Sequence, residues 1–197
     1  MKKISKNLAI LSFLTLGSTV FAQDIKETSS SVKNSNDKAL IVSPEQIAEQ
    51  EAKKKAALAE KAKLPKPYDA KANAEKDIEN LVAKAKRENK NIMIQAGGNW
   101  CIWCLRFNQY VQTTPELKKL VDDNYLYYHL NYSPENKNEK VFSKYGNPGD
   151  EFGYPVFIVL DQNGKMIHVQ KSDVLEEDKG YSLEKVKEFF KNWTTKA

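Results

Sequence analysis

Cysteine is nearly absent from this chain: Cys101 and Cys104 are the only two among 197 residues. Two thiols are too few for a disulfide-stapled scaffold. Histidine is equally scarce, with only His129 and His168, far apart in sequence, so the four ligands a zinc site needs are not gathered near the cysteine pair. Soft thiolates suit Cu(I), but methionine is limited to Met1, Met93 and Met166, with no cluster that would complete a copper site. No metal is therefore assigned. There is no Gly-rich phosphate loop. Lysines alternate with Asp and Glu instead of forming one basic block interleaved with aromatics, so no nucleic-acid partner is indicated. After the apolar run Leu8–Leu16 no comparable stretch follows, so no stable membrane insertion is expected of the remainder.

The N-terminus sets an expected compartment. Lys2, Lys3 and Lys6 precede the Leu8–Leu16 run, and Val20-Phe21-Ala22 supplies a cleavage site, the pattern of a signal peptide over residues 1–22 cut after Ala22. The apolar run is short for spanning a bilayer, and an uncleaved signal anchor is the alternative. No cysteine follows it to take a lipid. Either way the folded part is expected in a periplasmic or otherwise exported, disulfide-permissive space. Loss of the three signal lysines takes the formal charge from +5 to +2, which points to no charged partner.

Residues 23–42 are rich in Ser, Lys, Asn and Asp and too poor in large apolar side chains to bury a core, as expected of a flexible tether. Ser43-Pro44-Glu45-Gln46 then reads as a helix start, with Ser at the N-cap and Pro at the first helical position. An Ala/Glu/Lys-rich segment follows to Lys63, with Ile47 and Leu58 as a thin apolar stripe, the pattern of a solvated helix or spacer over 44–63, with a partner-binding helix as the alternative. Leu64-Pro65-Lys66-Pro67 ends the 23–67 linker, and one domain of about 130 residues is expected over 68–197. Inside it, helical spacing of Ala74, Ile78, Leu81, Val82 and Ala85 leads into a short strand, Asn91–Ala96. Helices over Ile102–Val111 and Pro115–Val121 precede a strand at Tyr125–Tyr132, and a helical stretch at Glu139–Tyr145 runs into a loop at Gly146–Asp150. Strands Val156–Leu160 and Met166–Gln170 flank Asn163-Gly164, a hairpin signal, and Ser182 caps a last helix burying Leu183, Val186, Phe189, Phe190 and Trp193.

The two cysteines form Cys101-Ile102-Trp103-Cys104, directly after the first strand. A C-x-x-C at a strand-to-helix junction puts both sulfurs at a helix N-terminus, where free backbone N–H groups and the helix dipole favour a thiolate on the first cysteine. Cys101 is then the exposed nucleophile and Cys104 the resolving thiol, which attacks a mixed disulfide on Cys101 and closes the Cys101–Cys104 bond. A purely structural disulfide is the alternative, but a loop this short would stabilise the fold by only about 2 kcal/mol in the chain-entropy model.

Strand, then Trp100-Cys101-x-x-Cys104 at a helix start, then Gly153-Tyr154-Pro155-Val156-Phe157-Ile158-Val159-Leu160-Asp161-x-x-Gly164-Lys165 leading to a hairpin, together resemble the thioredoxin-fold family over about residues 70–195. The Trp between the cysteines and the Asn89-Lys90-x-Ile92 lead-in are most similar to its exported, single-domain disulfide oxidoreductases. The resemblance implies an α/β fold: a central mixed β-sheet flanked by helices. It also implies that Pro155 is the family's cis proline beside the disulfide, which would turn the Tyr154 backbone outward to pair with an extended substrate. An ordinary trans proline opening an edge strand is the alternative. Trp100 is expected to flank the sulfurs and limit their solvation, the alternative being a plain core aromatic. The sequence departs from the family twice. Gln95 stands where thioredoxins carry a buried aspartate, and His129 where a lysine often lies across from it. Gln95 cannot take a proton, and His129, titrating near neutral pH, could supply that service or be a strand histidine without a role. His168 is assigned none.

The expectation is an exported thiol:disulfide oxidoreductase that reduces or isomerises protein disulfides and needs no cofactor. The resemblance implies protein thiols and disulfides as partners, with a membrane-bound electron donor. The alternative is a peptide-binding adaptor or chaperone module using the Tyr154-Pro155 groove without redox turnover.

Overall fold

The computed structural model describes residues 43–195. The expected signal peptide and the 23–42 tether lie outside the described residues. The first element is a helix, α1 (Pro44–Lys63), opened by a capping box: Gln46 N–H donates to Ser43 Oγ at 3.2 Å and Ser43 N–H to Gln46 Oε1 at 2.9 Å. None of its residues is buried.

The domain proper is built on a four-stranded sheet. Its elements in chain order are α2 (Ala74–Glu88), β1 (Asn91–Gly97), α3 (Ile102–Thr113), α4 (Pro115–Asn124), β2 (Tyr125–Asn131), α5 (Glu139–Lys144) and α6 (Pro148–Phe152). Then come β3 (Val156–Leu160), β4 (Met166–Lys171), the two-residue strands β5 (Glu176–Glu177) and β6 (Gly180–Tyr181), and α7 (Leu183–Asn192). The sheet order is β2-β1-β3-β4. β1 runs parallel to β2, joined through α3 and α4, and antiparallel to β3, which pairs antiparallel with β4. The two central strands are buried throughout, which is why β3 reads as an unbroken apolar run and β1 as one interrupted inside only by Gln95.

Alternation along those strands divides the core in two. Ile92, Ile94, Ala96, Val156, Ile158 and Leu160 face α2 and α5, meeting Ile78, Ala85, Val141 and Phe142. Met93, Phe157 and Val159 face the other layer, with Phe107 and Val111 of α3, Leu117 and Val121 of α4, and Val186, Phe189 and Phe190 of α7. Phe107 is the hub of the second layer, within 4.4 Å of the Phe157 ring centroid and 4.8 Å of that of Tyr181.

Three local readings need correction. The expected loop at Gly146–Asp150 contains the start of α6: Asn147 takes a left-handed conformation and Pro148, whose fixed φ suits a first helical position, starts the turn. Ser182 does sit at the N-cap of α7, but its side chain makes no capping bond. The small β5–β6 hairpin was not expected at all, because two-residue strands carry no periodicity. It nevertheless supports the site, since Tyr181 on β6 packs edge-to-face on Trp103 and donates a hydrogen bond to the Trp103 carbonyl at 3.1 Å.

The segment ahead of Tyr68 is a solvated helix whose last turn meets the domain. Arg106 of α3 donates two hydrogen bonds to Glu60 near the end of α1, Lys61 Nζ donates to the Trp100 carbonyl at 3.1 Å, and Leu64 packs with Tyr68, Cys104 and Leu105. The C-terminal turn of α1 is thereby docked beside the cysteine pair.

Candidate functional site

Gly98, Asn99 and Trp100 carry the chain from the end of β1 into α3, and Cys101 is the N-cap of that helix. An N-cap residue keeps an extended backbone while its side chain accepts from the first turn, and here the acceptor is sulfur: Cys104 N–H donates to Cys101 Sγ at 3.1 Å. Cys101 and Cys104 are joined as a disulfide with their Cα atoms 5.3 Å apart. The two cysteines are unequal. Cys104 is fully enclosed, whereas Cys101 as a residue keeps 7 % of its surface in contact with solvent. Cys101 is therefore less exposed in this disulfide state than its spacing led one to expect, yet it is the member of the pair a partner can touch.

Opposite Cys101, the Tyr154–Pro155 peptide is cis and the Tyr154 carbonyl oxygen lies 3.6 Å from Cys101 Sγ. The trans reading of Pro155 is overturned, and the strand it precedes is central rather than an edge. Tyr154 stacks on Tyr132 at 5.2 Å between ring centroids, and burial pushes its hydroxyl up to about 12, so it is neutral at physiological pH.

Trp100 is 48 % exposed, which overturns the alternative of a plain core aromatic. Its indole N–H donates to the Tyr132 carbonyl at 2.6 Å and its ring meets Tyr154 edge-on at 5.7 Å, so it forms a rim continuous with the Tyr154-Pro155 turn.

This arrangement of sheet, cis proline and helix-capping disulfide can be set against known proteins. A thioredoxin-like family model matches residues 73–162. The disulphide isomerase from Xylella fastidiosa Temecula1 is similar in structure, with 23 % identity over 66 % of this chain and 97 % of that one at a TM-score of 0.57. The fold is thioredoxin-like. The C-terminal domain of Neisseria meningitidis DsbD in the oxidised form matches at 19 % identity over 62 % of this chain and 97 % of that one, with a TM-score of 0.46. No curated protein sequence matches the chain.

Below the disulfide of this thioredoxin-like fold, Gln95 and His129 are register neighbours on β1 and β2. His129 does not titrate near neutrality: burial pulls it down to about 4, and its Nε2 has no hydrogen-bond partner. It is wedged between the rings of Tyr68 and Tyr127, each 5.2 Å away. His168 is distant in role as well, stacked on Trp193 at 4.1 Å. Among the described residues no group of three or more His, Cys, Asp or Glu side chains is placed to hold a metal ion. Sequence reasoning missed Tyr68 and Tyr127, whose hydroxyls converge on Gln95, and the Glu60–Arg106 pair. Each depends on tertiary contact, and no local pattern announces it.

Proposed function

We propose that the protein is an exported thiol:disulfide oxidoreductase acting on protein disulfides. The observation that carries this reading is the Cys104 N–H aimed at Cys101 Sγ at the N-cap of α3, on the less enclosed of the two cysteines. In the reduced protein that N–H and the helix dipole favour Cys101 as thiolate. The thiolate attacks a sulfur of a partner's disulfide, so that a bond forms from Cys101 to one partner sulfur and the partner's other sulfur leaves as a thiolate and takes a proton from water. Cys104, as thiolate, then attacks Cys101; the Cys101–Cys104 bond forms, the second partner sulfur departs, and its proton again comes from water. The partner gains two electrons and this protein loses them. A dithiol protein, held at the membrane, restores the reduced form by the same exchange in reverse. The Tyr154 carbonyl beside Cys101, with Trp100 at the rim, offers an extended substrate strand a hydrogen-bond acceptor and an apolar contact.

Export rests on the N-terminal pattern of residues 1–22, and no helix among the described residues is long and apolar enough to cross a membrane.

A disulfide-reduction assay with single-cysteine variants tests the reading. Cys101→Ser should abolish turnover, while Cys104→Ser should accumulate a covalent mixed disulfide that can be isolated from the exported compartment. Equal residual activity in both variants would overturn it in favour of the peptide-binding adaptor.

A further inference from the structure

Under the disulfide lies a polar layer that the exchange steps above leave unused. Gln95 is completely buried, and its amide is fully engaged. Tyr127 Oη donates to Gln95 Oε1 at 2.7 Å, and Gln95 Nε2 donates both to Tyr68 Oη at 2.7 Å and to the Cys104 carbonyl at 2.9 Å. The Tyr68 oxygen is thus already an acceptor, and its own hydrogen has no acceptor among the described residues in the disulfide state. Tyr68 is anchored from the other side. Asn99, two residues before Cys101, accepts from Tyr68 N–H at 3.2 Å and donates to the Tyr68 carbonyl at 2.7 Å. Gly97 locates the hydroxyl relative to sulfur: a Cβ there would meet Cys104 Sγ at 2.5 Å and Tyr68 Oη at 3.1 Å. Both atoms border one gap, which glycine keeps open.

We infer that Tyr68 is a positioning residue for the resolving thiol: oriented by Gln95, its hydroxyl donates a hydrogen bond to Cys104 Sγ once the disulfide opens, favouring the thiolate that attacks the mixed disulfide. This rests on the exchange reading above and concerns only its second step. The bond to sulfur is formed by the Tyr68 hydrogen, and the Cys104 proton itself leaves to water. A neutral donor is what this layer can offer. Tyr68 and Tyr127 are held protonated by burial, His129 is held neutral, and the nearest cation on α3, Arg106, is engaged by Glu60. The other titratable neighbours are Cys101 at the N-cap of α3, Tyr154 ahead of β3, whose carbonyl lies 3.6 Å from Cys101 Sγ, and Tyr181 on β6, which burial also holds protonated. A hydrogen bond to a charged acceptor is worth more than one to a neutral acceptor, so the donor shifts the balance toward the ionised sulfur.

The test isolates Cys104 in a Cys101→Ser background and follows thiolate absorbance against pH, with and without Tyr68→Phe. The midpoint should rise by about one pH unit, an approximately tenfold loss of thiolate at neutral pH, and in the two-cysteine protein the mixed disulfide should persist correspondingly longer. An unchanged midpoint in a folded Tyr68→Phe protein overturns the inference. If that variant does not fold, the ring resonance of Tyr68 in the Cys101→Ser protein decides, assigned by its proximity to Gly97: it must move through the Cys104 midpoint, and a flat resonance overturns the inference. Failure of the Cys104→Ser trap alongside a Tyr68-dependent midpoint would sink the exchange reading and leave this contact standing.

Discussion

Arg106 on the cysteine-bearing helix grips Glu60 on α1 through two parallel N–H···O bonds, each 2.7 Å. Paired guanidinium and carboxylate groups of this geometry are stronger than ordinary surface ion pairs, and Arg106 adds a stacking contact 4.9 Å over the Trp103 ring. The hydrogen bonds from Arg106 outweigh burial and hold the Glu60 carboxyl below its ordinary range. A carboxylate with a depressed folded-state value contributes stability above its unfolded value and loses that contribution as pH falls through the folded one. Because Glu60 is partly exposed, solvent screening keeps the contribution to about 1 kcal/mol or less. The end of α1 should therefore loosen below about pH 4 without the domain unfolding. Hydrogen exchange should show the amides around Glu60 and Lys61 losing protection in acid, and Glu60→Gln should produce the same loss at neutral pH. Unchanged protection in both would mean that Leu64 and Lys61 alone hold the helix.

What the sequence discloses of this molecule is what depends on short-range spacing. Cys101 and Cys104 are three positions apart, so whatever helix begins at Ile102 must put them on adjacent turns, and the sequence needs no knowledge of the rest of the fold to say so. Val156–Leu160 is legible for a similar reason, since an unbroken apolar run bounded by Pro155 and Asp161 has few places to go except the centre of a sheet. Tyr68 is different. It sits at the boundary of a Pro-rich stretch, and only the closing of the domain brings its hydroxyl to Gln95, whose own partners come from β2 and α3. Trp100 is also set by tertiary contact, since its indole N–H is satisfied by the Tyr132 carbonyl and the ring stays half exposed, a placement that no local spacing announces.

Gly97 is the narrowest point beneath the disulfide. A methyl group there would stand 2.5 Å from Cys104 Sγ and 3.4 Å from Cys104 Cβ, and those atoms belong to a cross-linked side chain that cannot swing away. Gly97→Ala should destabilise the domain by about 1–3 kcal/mol, the usual cost of overpacking. Gly180 on β6 is the control, since nothing lies within 4 Å of a Cβ there. Denaturant midpoints should fall for Gly97→Ala and hold or rise slightly for Gly180→Ala. Equal small effects would show that the layer below the disulfide is looser than its packing indicates.

His129 ties the stability of the same layer to pH. Burial lowers it to about 4, against an unfolded value near 6.5, so the folded state prefers the neutral ring. A histidine whose folded-state value is depressed contributes fully above its unfolded value and progressively loses that contribution as pH falls from about 6.5 toward 4, since the unfolded chain takes up the proton first. The shift corresponds to about 3 kcal/mol at most, spread over that window. His129→Phe keeps an aromatic ring between Tyr68 and Tyr127 and removes the titration. Carboxylates elsewhere respond to acid in both proteins, so the difference between them isolates the imidazole. Urea unfolding at neutral pH and near pH 4.5 should show the native protein losing about 2–3 kcal/mol more than the variant between the two conditions. Parallel losses would mean that the buried ring finds a proton partner that the folded layer does not display.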